Sequence, residues 1–87
     1  MTHDELKDAL DGLHAYDVGS LQSGIHDEAL RERVKAELRG MDDDARRACV
    51  DTIARELYLS PEAIAEGYGQ EDVDEFMDWL ADRMGVS

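Results

Sequence analysis

The sequence predicts an all-α fold: a single small bundle of four to five helices, forming one domain over residues 1–87. Three observations carry the prediction. Apolar residues recur at helical spacing in successive segments, and no segment alternates apolar and polar residues for more than a few positions. Residues that start helices (Thr, Asp, Ser) precede these segments, and glycines follow them. The chain has 87 residues, room for one domain and not for two, with no internal repeat, low-complexity run or linker. Its apolar share of 43% is that of a folded protein, so disorder is not expected. The core must be thin, since a chain of this size buries only roughly 60–65% of the surface its unfolded form exposes.

The first helix is expected at about 3–15. Thr2 and Glu5 have the spacing of a capping box, and Leu6, Ala9, Leu10 and Leu13 then repeat on one face. From Tyr16 to Gly24 turn formers mix with Val18 and Leu21, which predicts a loop with a short helical turn at 20–24. The second helix, about 26–39, carries Leu30, Val34 and Leu38, followed by Met41, with Gly40 as a positive-φ cap. The third begins at Asp42–Asp44, whose carboxylates complement the free N–H groups and the helix dipole. Its expected inward face is Ala45, Cys49, Ile53 and Leu57, widened by Val50 and Ala54, and it ends near Tyr58–Leu59. Ser60-Pro61-Glu62 opens a short fourth helix, about 61–67, punctuated by Gly67 and Gly69. The last helix, about 71–84, has Val73, Phe76, Met77, Leu80 and Met84 as its stripe and Gly85 as its stop.

Charge is the most unusual feature. There are 22 Asp and Glu against 9 Lys and Arg, a net of −13, and only two of the bases, Lys7 and Lys35, are lysine. This bias resembles the composition of proteins from organisms that keep molar salt in the cytoplasm. There a dense carboxylate surface holds water and ions, whereas in dilute buffer the same surface repels itself. The other reading is an acidic surface that serves a partner. The distribution is uneven: residues 1–30 carry −6, residues 31–55 carry +1, and residues 56–87 carry −8.

Cys49 is the only cysteine, so no internal disulfide forms, and its isolation fits a reducing cytoplasm. No basic start precedes an apolar run and no stretch approaches about 18 apolar residues, so neither a signal peptide nor a membrane span is expected.

Little in the chain points to chemistry. His3, His14 and His26 are 11 and 12 residues apart, which is not metal-ligand spacing on one helix. Asp42–Asp44 and Glu71, Asp72, Asp74 and Glu75 lack the alternation, central glycine and distal glutamate of a calcium loop, and they read as acids at helix N-termini. There is no nucleophile elbow, phosphate-cradling loop or zinc pattern. The chain is therefore expected not to be an enzyme and to need no cofactor or metal.

Ser60-Pro-Glu-Ala-Ile64-Ala65-Glu66-Gly-Tyr68-Gly69, followed by Val73, Phe76 and Leu80, resembles a helix-turn-helix, so the C-terminal half, residues 43–84, is expected to be helix-turn-helix-like. The second helix of the motif departs from a DNA reader. It carries Glu71, Asp72, Asp74, Glu75, Asp78 and Asp82 with only Arg83 as a base, and phosphates would repel it.

Four further features bear on partners. Arg31, Lys35 and Arg39 line one stripe of the second helix, where they contact an acidic partner or nucleic acid, or pair with Asp27, Glu28, Glu32 and Glu37 of the same segment. Trp79 lies slightly off the core stripe, which makes it either a half-exposed interface anchor or the lid of a small core. Tyr68 is a second candidate anchor, and Tyr16 and Tyr58 are expected at the core edge. The expected function is a non-enzymatic cytoplasmic protein-interaction or regulatory module with a salt-adapted acidic surface, its partner another protein. Two alternatives stay open: an acidic nucleic-acid mimic that inhibits a basic partner, and a DNA-binding domain using the arginines at 31–55. A homodimer is compatible with the thin core.

Overall fold

A computed structural model of the chain describes residues 1–19 and 24–86. It is all-α: α1 (His3–Val18), α2 (Glu28–Arg39), α3 (Asp43–Tyr58), α4 (Pro61–Ala65) and α5 (Gln70–Asp82), with no strand among the described residues. The chain divides into two compact units, Met1–Gly40 and Met41–Ser87. The expected helical turn at 20–24 falls, except for Gly24, outside the described residues.

In the first unit α1 packs against α2. The capping box at its start is complete: the Glu5 N–H donates to Thr2 Oγ1 at 3.1 Å and the Thr2 N–H to Glu5 Oε1 at 3.0 Å. Leu6, Ala9, Leu10 and Leu13 are all buried, as their spacing predicts. The helix runs three residues beyond the expected end and is closed by the Gly19 N–H on Ala15 O at 2.9 Å. Its extension has a tertiary cause. Asp17, a turn former by sequence, accepts a two-pronged hydrogen bond from Arg31 of α2 at 2.9 and 3.0 Å, which holds the last turn of α1 against its neighbour. The returning chain then lies close on α1. Gly24 sits against the backbone of Tyr16 where any Cβ would collide, and the Ile25 N–H donates to Gly12 O at 2.9 Å. Helix α2 starts two residues later than expected because Asp27 is its cap, accepting from the Leu30 N–H at 3.1 Å. Val34 and Leu38 are buried. The positive φ expected at Gly40 is corrected: its φ is −76°, and its N–H still closes a helical turn on Ala36 O at 3.0 Å.

In the second unit α3 packs against both α4 and α5. Asp42 caps α3 by accepting from the Ala45 N–H at 2.7 Å. The inward face is rotated from the expected one. Val50, Ile53, Ala54 and Tyr58 are buried, Cys49 and Leu57 are half-buried, and Ala45 is exposed. Small Ala45 and Cys49 offer little apolar area, so α3 turns Val50 and Tyr58 inward. Tyr58, expected at the core edge, is part of the core.

Ser60 caps α4, accepting from the Ala63 N–H at 3.2 Å, and Pro61 takes its first position. The helix ends at Ala65, two residues short of expectation. The Tyr68 N–H donates to Ala63 O and the Gly67 N–H to Ile64 O, both at 3.0 Å, with Gly67 at φ +103°. This is a Schellman closure, and it requires the glycine. The Gly69 N–H donates to Asp72 Oδ2 at 2.9 Å at the start of α5. Val73, Phe76, Trp79 and Leu80 form the buried face of α5, and Met84 and Val86 are buried beyond it. The expected stripe named Met77, which is only half-buried; Trp79 takes the inward place, because its larger apolar area gains more from burial. The helix ends at Asp82, and Gly85 at φ +66° lets the Val86 N–H return to Leu80 O at 2.9 Å.

Candidate functional site

In the second unit four aromatic rings stand in series. Trp79 lies 5.6 Å from Phe76, Phe76 lies 5.9 Å from Tyr58, and Tyr58 lies 5.5 Å from Tyr68, all in tilted geometries favoured by ring quadrupoles. Three of the four are buried; Tyr68 is 43% exposed. The series therefore begins in the core and ends at the surface, with Tyr68 resting one side of its ring on Tyr58. The Schellman closure fixes its backbone as well.

Tyr68 has company. Helix α4 turns only Ala63 inward, and Pro61, Ile64 and Ala65 are exposed, Ile64 at 56%. With Tyr68, which lies beyond the Gly67 turn that ends the helix, they make a strip of four exposed apolar residues between positions 61 and 68. In the sequence around it every charge is negative. No Lys, Arg or His occurs between Arg55 and Arg83, and that stretch carries nine carboxylates. Glu62, Glu66, Glu71, Asp74 and Glu75 are exposed. A concavity lined by Gly67, Gly69, Gln70, Glu71 and Asp72 opens beside Tyr68. A side chain at Gly67 or Gly69 would meet no atom within 4 Å, so this backbone is open on its outer side.

The candidate residues separate. Trp79 is 4% exposed, so of its two readings the structure has the core lid, and the half-exposed anchor is corrected. Tyr68 is on the surface. Arg31, Lys35 and Arg39 lie in the other unit, on α2. Arg31 is held by Asp17, with side chains 12% and 3% exposed; this hydrogen bond raises the guanidinium pKa further above its ordinary value. Arg31 also lies 3.9 Å from Glu28, and Lys35 lies 3.6 Å from Glu32. Arg39 is exposed in the last turn of α2. The stripe is thus largely engaged with carboxylates of its own unit. His26 stacks on Tyr16 at 4.5 Å, nearly parallel, with Glu28 at 3.7 Å. No group of three or more His, Cys, Asp or Glu among the described residues could hold a metal ion. Among them, too, no helix is long and apolar enough to cross a membrane.

Sequence reasoning missed Ile64 as a surface residue. Nothing in a helix of five residues says which of its apolar positions turns inward, and the structure buries Ala63 and leaves Ile64 out. What the arrangement offers is adhesion rather than bond chemistry, an apolar strip and a phenol ring framed by carboxylates. Comparison with known protein families, curated proteins and solved structures finds no match to this chain.

Proposed function

We propose that this chain is a non-enzymatic protein-interaction or regulatory module of the cytoplasm, with an acidic surface adapted to high salt. The observation that supports this most directly is the outward apolar strip Pro61–Ile64–Ala65–Tyr68. In a chain with a thin core, an isoleucine left more than half exposed forgoes stabilisation that burial would supply, and such patches mark interaction sites. Tyr68, backed by Tyr58, has the amphipathic ring and fixed setting of an interface anchor. The surrounding acid is the expected dress of such a module in concentrated salt, where screening removes most of its self-repulsion.

The test is recovery of the tagged full-length chain from the cells that make it, in buffer matching their internal salt. A protein partner in fixed stoichiometry is the expected result. Recovery of the chain alone, or a turnover activity that co-purifies with it, overturns the reading.

A second reading is favoured by α5. Its outer face carries Glu71, Asp74, Glu75, Asp78 and Asp82, all exposed, at steps of three and four residues. One such step rises about 6 Å along the axis, so the carboxylates form a regular negative row of the kind a nucleic-acid mimic needs. A mimic binds its basic partner in dilute buffer and releases it steeply as salt rises, whereas the module described above holds its partner in molar salt.

A further inference from the structure

Resting on the module reading, we propose that the outer face of α4 and its closing turn is the docking site for a basic, amphipathic segment of a partner protein. An apolar side chain of that segment packs on Ile64 and Tyr68, and a Lys or Arg enters the concavity beside Tyr68.

Charge decides the occupant. An apolar strip alone would accept any greasy surface, but this one is ringed by the exposed carboxylates Glu62, Glu66, Glu71 and Asp74, with no base in residues 56–82 to offset them. A second copy of this chain, meeting the strip about a two-fold axis, would bring the same carboxylates against one another. An acidic or neutral partner would leave them uncompensated at the rim. Cationic side chains flanking an apolar centre answer both features. The open backbone of Gly67 and Gly69 fits the same occupant. Side chains there would meet nothing in the fold, and their absence clears the approach to a hollow lined by Gln70, Glu71 and Asp72. A long cationic side chain laid into it finds carboxylates for its head and glycine backbone along its stem. The strip also explains how such a site works in concentrated salt. At about 1 M the Debye length is about 3 Å, so rim charges select the partner while apolar contact holds it.

The experiment titrates the full chain calorimetrically with a helical peptide of about 18 residues, Leu on one face and Lys on the other. A control peptide keeps every Lys and replaces Leu by Ser. Both are measured in dilute buffer and in about 1 M KCl. The Leu/Lys peptide is expected to bind in both, and the control only in dilute buffer. Ile64→Ser and Tyr68→Ser should each weaken binding about tenfold in high salt, the mark of an anchor. Glu71→Gln should weaken it mainly in dilute buffer. Circular dichroism melts confirm that each variant is folded; the Ile64→Ser melt should stay close to the parent's, and the Tyr68→Ser melt should fall by a few degrees with the loss of the Tyr58 contact. Equal binding of both peptides at high salt, undiminished affinity in the folded Ile64→Ser and Tyr68→Ser variants, or self-association that these substitutions abolish overturns the proposal. The module reading fails differently: if the chain from its own cells brings down a stoichiometric partner that Ile64→Ser and Tyr68→Ser do not release, the docking site is wrong and the module stands. If the unaltered chain brings down none, the module reading is wrong.

Discussion

At the scale of single residues the most consequential pair is Asp17 and Arg31. The Asp17 side chain is only 3% exposed, and it accepts two hydrogen bonds from the fork of Arg31, 14 residues away. Removing Arg31 while keeping Asp17 leaves an enclosed negative charge without its cationic fork, which costs more than the pair contributes. Arg31→Leu is expected to destabilise by about 3 kcal/mol, whereas Arg31→Leu combined with Asp17→Leu should recover most of that loss. Urea unfolding of the two single variants and the double variant measures the coupling, and additive effects would show that the pair is only a surface decoration. The sequence placed Arg31 in a cationic stripe with partners on its own helix. Glu28 of that helix does lie 3.9 Å away, but its closer partner is on another helix, at a residue whose local signature is a turn.

At the scale of elements, local rules suffice for most boundaries. Thr2, Asp27, Asp42 and Ser60 each accept the backbone N–H three residues on; the starts at Thr2, Asp42 and Ser60 were read from the sequence, and the one at Asp27 was not. The capping box of α1 carries a pH signature. The hydrogen bonds from the Thr2 backbone and side chain hold the Glu5 carboxyl below its ordinary 4.5. A carboxyl lowered in the folded state contributes stability that is fully present above 4.5 and is lost as pH falls through its folded value. The melting temperature of the parent is therefore expected to exceed that of Glu5→Ala at neutral pH, and the gap should narrow below about pH 4.5. A gap independent of pH would mean that the side chain acts by packing or propensity alone. Which face of an element turns inward was less legible. In α3 the periodicity admits stripes through Cys49 or through Val50, and in α5 through Met77 or Trp79. Neighbouring helices chose the second each time, since only contact across helices rewards the larger side chain. In α4 the outcome is the reverse, with small Ala63 buried and the larger Ile64 exposed, so the candidate site was named only in part by its sequence.

For the whole molecule, a net charge of −13 on 87 residues is the dominant physical fact. Nine bases cannot neutralise 22 carboxylates in pairs, and the ion pairs of Lys35, Arg46 and Arg55 are with exposed carboxylates of the same helix, where such pairs contribute little. Self-repulsion should make the fold depend on salt. The melting temperature is expected to rise from dilute buffer into the molar KCl range, by about 10 °C if screening relieves about 2 kcal/mol. Helical circular dichroism across a KCl series checks this. A midpoint that stops rising by about 0.2 M would mean that simple screening is the whole effect, and the acidity would then be sought in binding, with α5 as the first surface to test.

The sequence by itself determined the all-α class, a count of four to five helices and the caps at Thr2, Asp42 and Ser60, because those depend on side chains within about one turn of the backbone they satisfy. It determined the charge too, which no fold alters. Only the tertiary structure decided that α1 continues to Val18 to present Asp17 to Arg31, that Trp79 is enclosed, and that Tyr68 stands on Tyr58 at the end of a ring series running out of the core. Each depends on a group far along the chain, or on which of two apolar neighbours gains more by burial, and periodicity within one helix carries neither kind of information.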